Sequence, residues 1–200
     1  MDLSSLQPIE AAVTLAVIWI GLGVLGLACM RVPRLITGIV FPAGALVSLA
    51  LAVTGLWAIG VPPSSAILPA GLPDLPFHVR LDALSGFFLL LLGGVSFGVA
   101  LFAAGYFRDT AAATLGQLTL QYHLFLASMA FVLIADDAYL FMITWESMAL
   151  SSYFLVTTEH HDEQNRKAGF IYLLIAPIGA HGILLCFVVL HGGHGDYPFE

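Results

Sequence analysis

The sequence predicts an all-α polytopic membrane bundle, and three observations carry that reading. First, hydrophobic residues make up 60% of the 200-residue chain and charged residues only 10%, against roughly 25% charge in an ordinary soluble domain; mean hydropathy is +0.97. Second, six apolar runs, at 9–30, 35–60, 81–107, 119–135, 138–157 and 168–190, approach or exceed the roughly 17–25 residues that span the hydrocarbon. Third, the few cations fall in alternate loops. Backbone groups in lipid must be satisfied within their own segment or in a closed barrel, and long runs of helix formers choose helices. This composition excludes a soluble enzyme. The formal charge of −7 does not bear on partners, because acids contribute little to membrane orientation; no nucleic-acid partner is expected.

The first run follows Asp2 and Glu10 with no basic leader, so it reads as a retained helix rather than an export signal. Gly21, Gly23 and Gly26 give it a small face for close helix approach, as do Gly94 and Gly98 in the third run. Pro42 lies inside the second run and Pro177 inside the sixth, where a missing amide and a ring clash bend a helix and free a carbonyl. The Pro-rich stretch 61–80 reads as a loop, and Asp136-Asp137 as a tight turn between the fourth and fifth runs. Arg31, Arg34, Arg108, Arg166 and Lys167 share one side of the resulting topology, with only Arg80 opposite. By the positive-inside rule those five mark the cytoplasmic face. Both termini, the 61–80 loop and Asp136-Asp137 then face outward, in a single multi-pass domain, 1–200, of an inner membrane. Cys29 and Cys186 read as lipid-compatible fillers, defining neither a disulfide framework nor a metal site.

Glu146 is the residue that demands a reason. It sits about 12 Å along the fifth run, near the membrane middle. Insertion scales charge about 2.5–3.5 kcal/mol for such an acid, and no Lys or Arg of this chain lies at its depth. His181 comes about 20 Å along the oppositely directed sixth run, at nearly the same depth, one turn after Pro177. His123 and Ser128 on the fourth run, with Ser151, Ser152, Tyr153 and Thr157 beyond Glu146, sketch a polar trail toward the inner side. Each of these has a plainer account. A membrane histidine can bond a neighbouring carbonyl, and serines commonly bond back to their own helix. A salt-bridge anchor at Glu146 would need a cation from elsewhere.

The stretch Asp136-Asp137-Ala-Tyr-Leu-Phe-Met-Ile-Thr-Trp145-Glu146-Ser-Met-Ala-Leu-Ser-Ser-Tyr153-Phe-Leu-Val resembles the fifth-helix signature of the antiporter-like membrane subunits of respiratory complex I, Mrp-type antiporters and membrane-bound hydrogenases. The opening of the third run, Leu81-Asp82-Ala-Leu-Ser85-Gly-Phe-Phe-Leu-Leu, is similar at the corresponding place. The wording around Trp145-Glu146 is most similar to the large antiporter-like component of the hydrogenase-4 group and its formate hydrogenlyase counterpart. The resemblance runs from about 77 to 172. It implies a fold of about fourteen helices around two inverted five-helix repeats, of which this chain would be an N-terminal fragment. It also implies that Glu146 pairs with a buried lysine two helices later. Lys167, at a helix boundary, does not match that lysine.

The resulting expectation is a proton-translocating membrane subunit whose partners are other membrane subunits and a peripheral redox module, either hydrogenase or quinone-reducing. It holds no cofactor of its own, and Glu146, His181 and His123 carry translocation. Two alternatives stand beside it. One is a membrane scaffold with Glu146 kept protonated; the other is a haem-binding electron carrier using His123 and His181, which their unequal depths disfavour. His191, His194 and Asp196 form a possible metal-binding group in a Gly-rich tail that reads better as solvated.

Overall fold

The computed structural model describes residues 7–72, 75–109, 111–159 and 162–190. Six helices alternate in direction: α1 (Pro8–Ala28), α2 (Pro33–Ile59), α3 (Ala83–Tyr106), α4 (Ala112–Ile134), α5 (Ala138–Val156) and α6 (Glu163–Leu190). Five are long and apolar enough to cross a membrane by length and composition. The sixth, α5, has 19 residues; Glu146 and its run of hydroxyl side chains dilute its hydropathy. The fourth and sixth helices begin earlier than the apolar runs suggest, at Ala112 and Glu163 rather than 119 and 168. Amphipathic first turns extend a helix past its hydrocarbon stretch.

The 61–80 stretch is not a loop. It forms an antiparallel hairpin, β1 (Ser64–Leu72) against β2 (Leu75–Leu81), with Ser64 opposite Leu81 and Leu68 opposite Phe77. Proline removes a ladder donor, so it is confined to edges and bulges. Pro69 accordingly falls in the register shift between Leu68 and Gly71, where Gly71 takes φ 117°, a conformation that favours glycine. The period-two signal lies in His78-Val79-Arg80-Leu81: Val79 and Leu81 are buried while Arg80 is exposed. These two apolar side chains join Ile9, Trp19, Leu126, Ile134 and Leu140 in the larger core cluster, so the hairpin caps the ends of α1, α4 and α5 opposite those that carry the cations.

The Asp136-Asp137 turn is tied into this cap. Asp136 donates its N–H to the His78 carbonyl at 2.9 Å, Val79 bridges to Ala135, and Arg80 pairs with Asp136 at 3.1 Å. Asp137 caps α5 by accepting from Leu140 N at 2.6 Å, and its other oxygen accepts from His78 N at 2.7 Å. Free N–H groups at a helix start need such an acceptor. Burial raises the proton affinity of Asp136, against the lowering effect of Arg80 and His78.

Helix α2 departs from regularity. Residues Ile36–Val40 form a π segment, closed by Phe41 N donating to Ile36 O, and Pro42 follows at once. The segment leads into a face of small residues. A methyl built on Gly55 would lie 2.5 Å from the backbone of Gly86 and of Leu90, and one on Gly93 would lie 2.5 Å from Ser48 O, so α2 and α3 pack backbone to backbone as lipid-embedded helices do. Helix α1 packs mainly on α4, α4 on α5, and α5 on α6.

Candidate functional site

Glu146 lies on the exposed side of α5 and opens into a cleft of about 230 Å³ against α6. Its walls are Ser147, Ala149, Leu150, Tyr172, Leu173, Ala176 and Pro177. None of these is basic, so the lining offers the carboxylate no cation. The packing explains the opening: α6 rests on α5, and most of its surface is uncovered within this chain. Pro177 sits in the cleft wall, at a position where a helix lacks one N–H.

His181 is placed one turn beyond that wall. It is exposed, and its Nδ1 lies 2.6 Å from the Pro177 carbonyl. The depth match with Glu146 therefore brings Pro177, rather than His181 itself, into the common cleft.

His123 is elsewhere. It is fully buried at the junction of α1, α2 and α4, with Nδ1 donating to Thr119 O at 2.8 Å. The Phe41 ring lies 6.0 Å away and the Tyr122 ring 5.2 Å. Its Nε2 has no hydrogen-bond partner among the described residues and faces Gly44, where an added methyl would come within 2.7 Å. Gly23 packs on its Cβ from α1. The glycines that leave room for this ring are spread over two other helices, which no spacing within the fourth run reveals.

The hydroxyl trail is real as a composition but is tied to its own backbone. Ser151 donates to Ser147 O at 2.8 Å, Ser147 to Ile143 O at 2.9 Å, and Thr157 to Tyr153 O at 2.9 Å. Ser128 is buried on α4 and Ser152 half-buried on α5. Tyr153 faces a second, larger cleft of about 780 Å³ near the Arg-bearing ends of the helices. Sequence reasoning missed this cleft, although Thr114, Gln117 and Gln121 mark one face of α4 at helical spacing. No group of three His, Cys, Asp or Glu side chains converges as a metal-ligand set among the described residues. His191, His194 and Asp196 lie outside them.

Residues 135–200, which include all of α5, match the NADH:quinone oxidoreductase/Mrp antiporter transmembrane family. An uncharacterized protein of Mycobacterium tuberculosis is 36% identical over 129 residues, 64% of this chain and 20% of that protein. Hydrogenase-4 component B of Escherichia coli is 30% identical over 121 residues, 60% of this chain and 18% of that protein. NADH-quinone oxidoreductase subunit L of the same organism is 26% identical over 127 residues, 64% of this chain and 20% of that protein. The chain thus spans about a fifth of the length of these relatives. In fold it is similar to a chain of the archaeal membrane-bound sulfane sulfur reductase, with TM-score 0.67 and 18% identity over 92% of this chain and 38% of that one. The antiporter-like resemblance read from the Trp145-Glu146 stretch is thereby supported by sequence and by fold.

Proposed function

We propose that this antiporter-like multi-pass membrane chain supplies the acid-bearing step of a proton path across an inner membrane. In this reading the redox chemistry belongs to other subunits of a hydrogenase-4, formate hydrogenlyase or NADH:quinone oxidoreductase type of complex. The observation that carries the proposal is Glu146, an acid midway along α5 that opens into a cleft with no basic side chain in its lining. A cation brought beside a carboxylate favours its charged form and releases the proton; withdrawing the cation favours proton uptake. The cation would come from outside the residues that line the cleft, and the resemblance points to a buried lysine of a later helix. The five cations at the inner helix ends support the cytoplasmic assignment of that face.

His181 enters this reading as a neighbour of the cleft. Through its contact with the Pro177 carbonyl it touches the same proline-bearing segment of α6 that walls the cleft. His123 enters as a separate buried group on α4. Neither histidine requires a cofactor in this chain, and the redox centres would sit in the peripheral partner.

The test is Glu146→Gln in the full-length protein within its native complex, reconstituted in vesicles. The amide keeps shape and polarity and loses the exchangeable charge. Coupled proton movement should fall at least tenfold with assembly intact, while Glu146→Asp retains part of it. Pumping at the normal rate by the glutamine form would leave the membrane-scaffold reading instead.

A further inference from the structure

The cleft beside Glu146 has a backbone group in its far wall. Leu173 and Pro177 of α6 both line it, one helical turn apart. In an α-helix each carbonyl accepts from the N–H four residues later, so the Leu173 carbonyl points toward the nitrogen of residue 177. Proline carries no N–H there, and its ring crowds the same carbonyl. The Leu173 oxygen therefore lacks its usual helical donor. Because both residues that bracket it line the cleft, it lies on the face of α6 that looks toward Glu146.

The rest of the wall offers little competition for it. Ala149, Leu150 and Ala176 have no polar side-chain atom, and the Ser147 hydroxyl donates to Ile143 O at 2.9 Å. One turn further along α6, the Pro177 carbonyl has Nδ1 of His181 at 2.6 Å. Tyr172 supplies the remaining hydroxyl of the lining.

An ionised carboxylate and a backbone carbonyl are both acceptors only. They cannot bond to each other unless a proton lies between them. A protonated Glu146 supplies one O–H, which reaches the carbonyl directly or through one water; a cleft of about 230 Å³ has room for several waters at ~30 Å³ each. The contact thus exists in one protonation state of Glu146 and breaks in the other.

We propose that the Leu173 carbonyl is the acceptor that holds the Glu146 proton between arrivals of the cation, and that Pro177 is the positioning residue that keeps this carbonyl free of its helix. The inference rests on the proton-path reading of Glu146 and names the group that acts with it.

The experiment uses the full-length protein in its native complex, reconstituted in vesicles, with two readouts: coupled proton movement, and the infrared band of the Glu146 carboxylic acid, identified by its loss in Glu146→Gln. Pro177→Ala returns the N–H to the helix with a residue that suits one. Proton movement should fall about fivefold, the worth of one hydrogen bond, and the carboxylic C=O band should move to higher wavenumber. Lactic acid placed at position 177 by nonsense suppression lacks both the N–H and the ring, and it should retain the wild-type band and rate. An unmoved band in Pro177→Ala, or a lactic acid form that behaves like the alanine form, would overturn the proposal and leave the Glu146 reading intact. Normal proton movement in Glu146→Gln would instead overturn that reading, and the proposal with it.

Discussion

His123 and Glu146 are both ionisable side chains within the membrane-spanning helices, and the fold treats them in opposite ways. His123 is closed in on three helices, with glycines of α1 and α2 cut back to admit its ring. Glu146 stands on an exposed helix face in a cleft with a single neighbouring helix. A group that shuttles charge needs room for a partner to arrive and leave. Of these two places among the described residues, the α5–α6 seam offers that, whereas the α1–α2–α4 junction is built as a packed core.

The sharpest way to break this comparison is steric. Gly44→Val should cost about 3 kcal/mol or more, because even its Cβ would meet His123 Nε2 and overpacking a tight core typically costs 1–3 kcal/mol. Unfolding in a mixed-detergent titration measures it, and a near-neutral result would mean that the junction is loose.

Next comes the hairpin cap. Asp137→Ala removes the acceptor for both Leu140 N and His78 N, an expected loss of about 2 kcal/mol in the same unfolding assay. Asp137→Asn should recover a large part of it.

A matched pair then compares the two regions directly. A methyl added at Gly26 would overlap the γ-methyl of Thr119, and one at Gly169 would overlap the γ-methyl of Thr157. Thr119 is fully buried and Thr157 is not. Gly26→Ala should therefore cost about 1–3 kcal/mol and Gly169→Ala under about 1 kcal/mol, since α6 is free to give way. Equal costs would erase the distinction.

The smallest effect lies at the Arg80–Asp136 pair beside the hairpin. Burial lifts the proton affinity of Asp136 while Arg80 opposes it, so Arg80→Gln should raise its pKa further, as followed by carboxyl carbon-13 NMR. For an acid raised above its unfolded value, the stabilising contribution is present at low pH and is lost as pH rises through the folded pKa. The variant should extend that loss to higher pH; a fall in the Asp136 pKa would show that Arg80 acts there in some other way.

How much of this was legible beforehand follows from which interactions are local. Helix count, direction and the isolation of Glu146 depend on runs of side chains against lipid, and the composition of each run displays them. The prolines at 62, 63, 69, 73 and 76 pointed to a loop because a lone strand seldom carries so many; it is the burial of Val79 and Leu81 against three helix ends that holds the hairpin. The expected meeting of His181 with Glu146 rested on depth, which a sequence supplies, and needed helical phase, which it does not. Phase also separates His123 from the α5–α6 cleft.

The π segment at Ile36–Val40 bears on how this helix should be compared with others. One residue more than an α turn accommodates rotates everything after it by about 100° relative to a regular helix begun at Pro33. Gly44, Ser48 and Gly55 meet their neighbours only because of that rotation. Removing a single residue between 36 and 40 would leave composition and length almost unchanged and yet turn bulky side chains toward His123 and α3. In aligning this chain with its relatives, a one-residue gap in α2 is therefore a change of face, with more structural weight than several substitutions on the lipid side.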